Sequence, residues 1–243
     1  MRRGNGFLMK SRLGVIRQVI LIDLFRAPII SFFIAQGLRV FRPRRLRAFK
    51  SKTKQILHEE YSKSHVSRIL IRPLTRSTIP ISLASAISWP QTNSHAILLV
   101  GPRYESDYFL LRGYGFSANK IKLLDQFSTS PRIEVGDAHE MRFADETFDI
   151  VILSWCLAYS GQPARMVGEA WRTLKANGVL IICNDSQQER SPEDFSKLDV
   201  GNLTSANTVR FMPEGATIFA HFDSPVGPDG RRSVSCVAAR KVR

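Results

Sequence analysis

Three cysteines in 243 residues are few, and Cys156, Cys183 and Cys236 stand far apart, each within an apolar run. No metal-ligand spacing accompanies them, so neither a disulfide framework nor a metal site is expected, and they read as small core residues of a reducing compartment. Long apolar runs are missing too. Residues 13–41 are strongly apolar but are broken by Arg17, Asp23, Arg26 and Pro28. That falls short of the roughly 20 predominantly apolar residues of a spanning helix, and no small-residue cleavage pattern of a secretory signal follows. The expected location is cytoplasmic. Acid is scarce in the first third: residues 1–76 hold 18 Lys and Arg against three acids, and the remainder 17 against 18. The formal charge of +14 therefore belongs to the N-terminal region.

That region joins the apolar stretch to a basic run, RPRRLRAFKSKTK, at residues 42–54. The expectation is a basic, partly apolar helical extension over residues 1–76, with Pro28 ending or kinking its first helix. Such a segment suits an anionic membrane surface at the inner face, through residues 1–54. A cap on the main domain or a contact with a protein partner fits somewhat better. Nucleic acid fits less well, because aromatic residues are not interleaved with the basic ones as a stacking platform requires. Residues 77–94, STIPISLASAISWPQTNS, are poor in charge and rich in Ser, Thr and Pro, the composition of a connector.

From residue 95 to 243 apolar runs of strand length alternate with helical patterns. Residues 96–100 (AILLV), 120–124 (KIKLL), 132–135 and 148–153 (FDIVIL) read as strands. Residues 106–114 and 163–174 read as helices, the second opened by Pro163 and followed by a turn at residues 176–178. Residues 179–183 (VLIIC) form a further strand. Strands separated by helices imply a parallel sheet with helices on both faces. The tail differs: residues 216–221 and 233–239 are joined by SPVGPDGRR, which is rich in turn residues and too short for a crossover helix. They should pair as an antiparallel hairpin.

This order, with GDAHEMRFADETFDIVILSWCLAY at residues 136–159 and EAWRTLKANGVLII at residues 169–182, resembles the class I S-adenosylmethionine-dependent methyltransferases. The resemblance covers residues 96–243. It implies an α/β, Rossmann-like sheet, mostly parallel with a C-terminal antiparallel hairpin, that binds S-adenosylmethionine and transfers its methyl group to a small-molecule or lipid-linked acceptor. It also implies roles. Asp125 would hold the ribose hydroxyls, Asp137 would accept from the adenine amine while the Ala138 N–H donates to the ring, and Trp155 would face the cofactor. A general base, where the acceptor needs one, would be His139, Tyr159 or Asp185, all on loops at the carboxyl ends of strands. His139 reads first as a solvated loop residue, and Asp149 as structural support at the head of its strand.

Glycine is short where this resemblance most needs it. The first motif of that family is an acid followed by G-x-G-x-G, whose missing side chains let the backbone approach the cofactor. Here residues 101–105 read GPRYE, with Leu99 in the place of the acid and Arg103 and Glu105 in the places of the second and third glycines. Arg103 could pair the cofactor's carboxylate and Glu105 its ammonium, side chains replacing backbone recognition around Gly101. Alternatively the loop is filled by its own side chains, leaving a non-catalytic binding or scaffold protein. GPRYE followed by GYGF at residues 113–116 is similar to the loop of a bacterial group of methyltransferase-like proteins, which favours the first reading. A nicotinamide-dependent oxidoreductase is disfavoured, since no G-x-G-x-x-G follows the first strand.

Overall fold

The unbroken apolar runs become central strands because both of their faces are buried. In the structure, a computed structural model that describes residues 47–48, 77–102, 105–186, 203–224 and 233–242, all four residues of β2 (Ile97–Val100) are buried. Strands β3 (Ile121–Asp125), β5 (Glu134–Val135), β6 (Phe148–Ser154), β7 (Leu174–Ser186), β8 (Ala216–Asp223) and β9 (Ser233–Lys241) join it in one seven-stranded sheet. Their order is β5-β3-β2-β6-β7-β9-β8. The β5–β3, β3–β2, β2–β6 and β6–β7 pairs are parallel, and β9 runs antiparallel to both β7 and β8. The terminal hairpin therefore forms as its turn-rich link predicted.

Period-two alternation divides the core into two layers. Ile97, Leu99, Ile121, Leu123, Ile150, Ile152 and Ile181 share one face with Ile81, Ala84, Leu110 and Leu111. These last four come from α1 (Thr78–Ser88) and α2 (Glu105–Gly113). Leu98, Val100, Val151, Leu153, Leu180 and Ile182 share the other face with Met166, Val167 and Ala170 of α3 (Pro163–Thr173). A short helix, α4 (Ser205–Val209), is N-capped by the Thr204 side chain, which accepts from the Asn207 N–H.

The stretch expected to be a connector holds helix α1. Its serines do not stay in solvent: Ser88 Oγ returns to the Ala84 carbonyl at 2.7 Å, Ser82 Oγ meets Tyr114 Oη at 2.7 Å, and Ser85 Oγ meets the Tyr114 carbonyl at 3.3 Å. Composition marks serine as a turn residue, but hydroxyls that find these partners allow a helix, with Ile81 and Ala84 three apart on its buried side. Tyr114 belongs to the GYGF element, whose Phe116 is fully buried.

Most of the basic N-terminal region, and with it the expected helices and the kink at Pro28, lies outside the described residues. Two of its residues, β1 (Arg47–Ala48), pair antiparallel with β4 (Phe127–Ser128). The Arg47 guanidinium donates to the carbonyls of Ser130 and of Ile133, the latter at 2.9 Å. No helix among the described residues is long and apolar enough to cross a membrane.

Candidate functional site

The carboxyl ends of parallel strands leave backbone groups and loop side chains at one edge of the sheet, where α/β folds place their ligands. Gly101 follows β2 there with φ +84°, a conformation that only glycine adopts at little cost. Its N–H donates to the Leu124 carbonyl at 2.9 Å, at the end of β3. A Cβ on Gly101 would lie 2.6 Å from the Ser154 carbonyl oxygen and 3.0 Å from Cys156 Cβ, at the end of β6. The single glycine of the divergent loop is thus required by three converging strand ends.

Arg103 lies outside the described residues. Glu105, the first residue of α2, turns its carboxylate to the neighbouring loop: Oε1 accepts from Ser130 Oγ at 2.5 Å and from Arg132 Nη1 at 2.9 Å. The Arg132 guanidinium also stands 5.3 Å from the Tyr108 ring centre, a cation–π distance. Glu105 is a strut between the first loop and the loop after β3, a pairing that sequence spacing does not reveal.

Asp125 ends β3 as expected. Its Oδ1 accepts from the Phe127 N–H at 3.2 Å and its carbonyl from the Gly136 N–H at 3.0 Å. Cys156 lies near enough to feel its charge: burial first, then the Asp125 carboxylate, push the Cys156 thiol up to about 12. It is a neutral packing group at physiological pH, as its apolar setting implied. Asp149 supports structure, its Oδ2 accepting from the Ala96 N–H at 2.7 Å while Lys175 pairs with the carboxylate at 3.0 Å.

The turn after β5 corrects one expectation. His139 is not a solvated loop residue, because its side chain is fully buried. The Glu140 N–H returns to the Asp137 carbonyl at 3.2 Å, which folds the turn back on itself and carries the imidazole inward. Asp137 Oδ1 accepts from the His139 N–H at 2.9 Å and lies 2.7 Å from its Nδ1. Nε2 lies 2.7 Å from Ser160 Oγ, which also accepts from the Gln162 N–H at 3.0 Å. A carboxylate can only accept, so Nδ1 carries the proton, and a neutral ring accepts at Nε2 from the Ser160 hydroxyl. With both ring nitrogens engaged, His139 is poorly placed as a general base. Ala138 is half-buried beside the second core layer.

Trp155 leaves β6 with φ +57° and donates its backbone N–H to the Cys183 carbonyl at 2.8 Å. Tyr159 ends the 3-10 turn Leu157–Tyr159 and is half-buried. Asp185 is not on a loop as expected but within β7, paired with Val234 of β9, and its side chain lies outside the described residues.

Sequence reading missed a clamp. Arg172 of α3 donates to Glu169 Oε1 at 2.8 Å and Oε2 at 2.9 Å, to the Met141 and Phe143 carbonyls at 3.0 and 2.9 Å, and to Asp145 at 2.5 Å. Glu169 Oε2 also accepts from the Met141 N–H at 2.8 Å. The pair fixes residues 141–145, immediately after the Asp137 turn. The i,i+3 spacing of an acid and an arginine on a helix was the available signal.

The edge fits a cofactor with several polar groups. Beside Asp125 and the Asp137 turn, Ser154 Oγ at the end of β6 and Ser106 Oγ in the first turn of α2 are buried without a hydrogen-bond partner among the described residues. Buried hydroxyls left in that state are costly unless a ligand or water meets them.

Comparison with known proteins agrees with this geometry. Residues 107–182 match a family described as a methyltransferase domain. Over 56 residues the chain is 34% identical to a phosphatidylethanolamine N-methyltransferase of Cereibacter sphaeroides, a match spanning 23% of this chain and 28% of that protein. An S-adenosylmethionine-dependent methyltransferase from Methanosarcina mazei shares the fold at a TM-score of 0.50 and 16% identity, over 65% of this chain and 96% of that one. Another, from Aquifex aeolicus, does so at 0.50 and 13%, over 76% and 100%.

Proposed function

We propose that the chain, whose residues 107–182 match a methyltransferase domain and whose fold is shared with S-adenosylmethionine-dependent methyltransferases, is a class I S-adenosylmethionine-dependent methyltransferase that methylates a small-molecule or lipid-linked acceptor. The observation that carries this reading is the convergence of Gly101, Asp125 and the Asp137–Ala138 turn at the carboxyl edge of β2, β3 and β5. The phosphatidylethanolamine N-methyltransferase match supports an amine on a lipid headgroup as the acceptor class.

S-adenosylmethionine supplies a methyl group on a sulfonium, already electrophilic. The chain's work is therefore mainly binding and alignment. Asp125 can accept from both ribose hydroxyls, Asp137 from the exocyclic amine, and the Ala138 N–H can donate to the ring. Gly101 lets the chain pass close to the end of β6, and the buried Ser106 and Ser154 hydroxyls, without a partner among the described residues, are candidates to meet polar groups of the ligand. Trp155, which leaves β6 with a positive φ and packs with the first core layer, remains a candidate to face the cofactor. Arg103 remains the candidate partner for a ligand carboxylate. A neutral amine acceptor needs no strong base, and where the acceptor holds a proton, Tyr159 and Asp185 are the remaining candidates.

Calorimetric titration of the intact protein with S-adenosylmethionine and S-adenosylhomocysteine tests the reading. Absence of binding to well-folded protein would leave a non-catalytic scaffold, the alternative that the pairing of Glu105 with Arg132 favours. With binding established, Asp125→Ala should weaken it more than tenfold, on the order of 1.4 kcal/mol.

The basic N-terminal region is proposed to hold the protein against an anionic membrane surface. Arg47 carries that region to the loop following Asp125, which would bring a lipid-linked acceptor near the cofactor edge. Co-sedimentation with phosphatidylglycerol vesicles at rising salt checks this. Binding should be strong at low salt, fall as salt screens the charges, and drop when Arg42, Arg44 and Arg45 are changed to Gln. Vesicle binding that is indifferent to salt and to those changes would discard it.

A further inference from the structure

We propose that His139 is a positioning residue that gives the cofactor site its selectivity for adenine, by fixing the Asp137 carboxylate against the loop that follows β6. The proposal rests on the methyltransferase reading above and adds to it a residue that touches no ligand.

Two donors of the same residue, the backbone N–H and the ring Nδ1–H of His139, meet the same oxygen of Asp137 at 2.9 and 2.7 Å. A carboxylate held on one oxygen by two donors from different directions cannot turn without losing both bonds. The imidazole is itself anchored on its far side by Ser160 at 2.7 Å, 21 residues along the chain. Ser160 is fully buried and is fixed in turn, its N–H donating to the Leu157 carbonyl at 3.0 Å and its Oγ accepting from Gln162 at 3.0 Å. The orientation of Asp137 is thereby set by the exit of β6 as well as by its own turn.

An Asp–His–Ser line can also denote a nucleophilic serine, but this one does not. Ser160 Oγ is enclosed between Nε2 and the Gln162 N–H, and its full burial leaves no room for an electrophile. The consequence lies in recognition. A fixed carboxylate accepts from an exocyclic amine and repels an exocyclic carbonyl oxygen at the same place, because a site built for a donor leaves an acceptor unpaired. Released from His139, the carboxylate could turn away and tolerate either.

The test is the ratio of dissociation constants for S-adenosylhomocysteine and its 6-oxo analogue S-inosylhomocysteine, measured by titration calorimetry on the full chain. Unaltered protein should prefer the adenosyl ligand by about 100-fold or more. His139→Asn puts an amide nitrogen near the position of Nδ1 and should keep that ratio within about threefold. His139→Gln reaches toward Ser160 and keeps the backbone N–H bond to Asp137 but offers no side-chain donor to it, and should reduce the ratio about tenfold or more. Gln is close to histidine in size and Asn is smaller, so a ratio kept by the smaller residue and lost with the larger one separates positioning from bulk. Equal weakening of both ligands by His139→Gln, with the ratio unchanged, would overturn the proposal and leave His139 a support of the fold. Unaltered protein that binds both ligands equally well would overturn it too, while leaving the methyltransferase reading intact. Unaltered protein that binds neither would overturn both.

Discussion

Gly101→Ala is expected to lower the unfolding free energy by about 3 kcal/mol and to cost cofactor affinity with it. Two penalties combine. At φ +84° an L side chain is strained by about 1–2 kcal/mol, and the new Cβ would stand 2.6 Å from the Ser154 backbone oxygen, an overpacking that costs about 1–3 kcal/mol. The obstructing atom is backbone at the end of a central strand, so relief requires β2 and β6 to part where the cofactor is proposed to bind. Gly215 provides the control. Its φ is +81°, yet nothing lies within 4 Å of a Cβ placed there, so Gly215→Ala should show the strain alone, about 1 kcal/mol. Urea unfolding of the two variants measures the difference. Equal losses would mean that the close approach at Gly101 is relieved without cost.

Arg172→Ala should destabilise by a similar amount, about 3 kcal/mol at neutral pH. The change removes donors from the Met141 and Phe143 carbonyls and leaves the Glu169 carboxylate without its cation. It should also loosen residues 141–145 and, through them, the adjoining Asp137 turn. The pH dependence has a definite sign. Hydrogen bonding from Arg172 is the largest influence on Glu169 and holds its carboxyl below the usual 4.5, with the Met141 N–H assisting and burial opposing. A group whose pKa is depressed by folding stabilises the protein above its unfolded pKa, and that contribution is lost as pH falls through the lower, folded value. The intact protein should therefore lose this increment below about pH 4.5, and Arg172→Ala should lose much less there. Arg172 itself is shifted upward by the same contacts and stays charged throughout. Urea midpoints measured from neutral to acid pH check both statements. Parallel curves for the two proteins would refute the clamp.

Arg172 and Gly101 also show how far local pattern carries. The E-x-x-R spacing was visible, and so was a lone glycine after a buried strand. What each one meets was not, because Met141 and Ser154 lie tens of residues away along the chain. Serine-rich residues 77–94 show the opposite failure. Their composition predicted a connector, and a helix formed because Tyr114 receives two of the hydroxyls.

Sequence alone determined the split in charge between residues 1–76 and the rest, the alternation of buried strands with helices, and the closing hairpin. It also placed Asp125 and Asp137 at strand ends. Periodicity, turn chemistry and charge are properties of neighbouring residues, so they survive without coordinates. Tertiary structure decided which side chains were already committed: Glu105 to Arg132, His139 to Asp137 and Ser160, Arg47 to the loop beyond Asp125, and Cys183 to Cys236, whose sulfurs are 3.0 Å apart across β7 and β9. Hydrogen bonds and close contacts form between groups that the chain brings together only after the sheet is ordered, and neither spacing nor composition records that encounter.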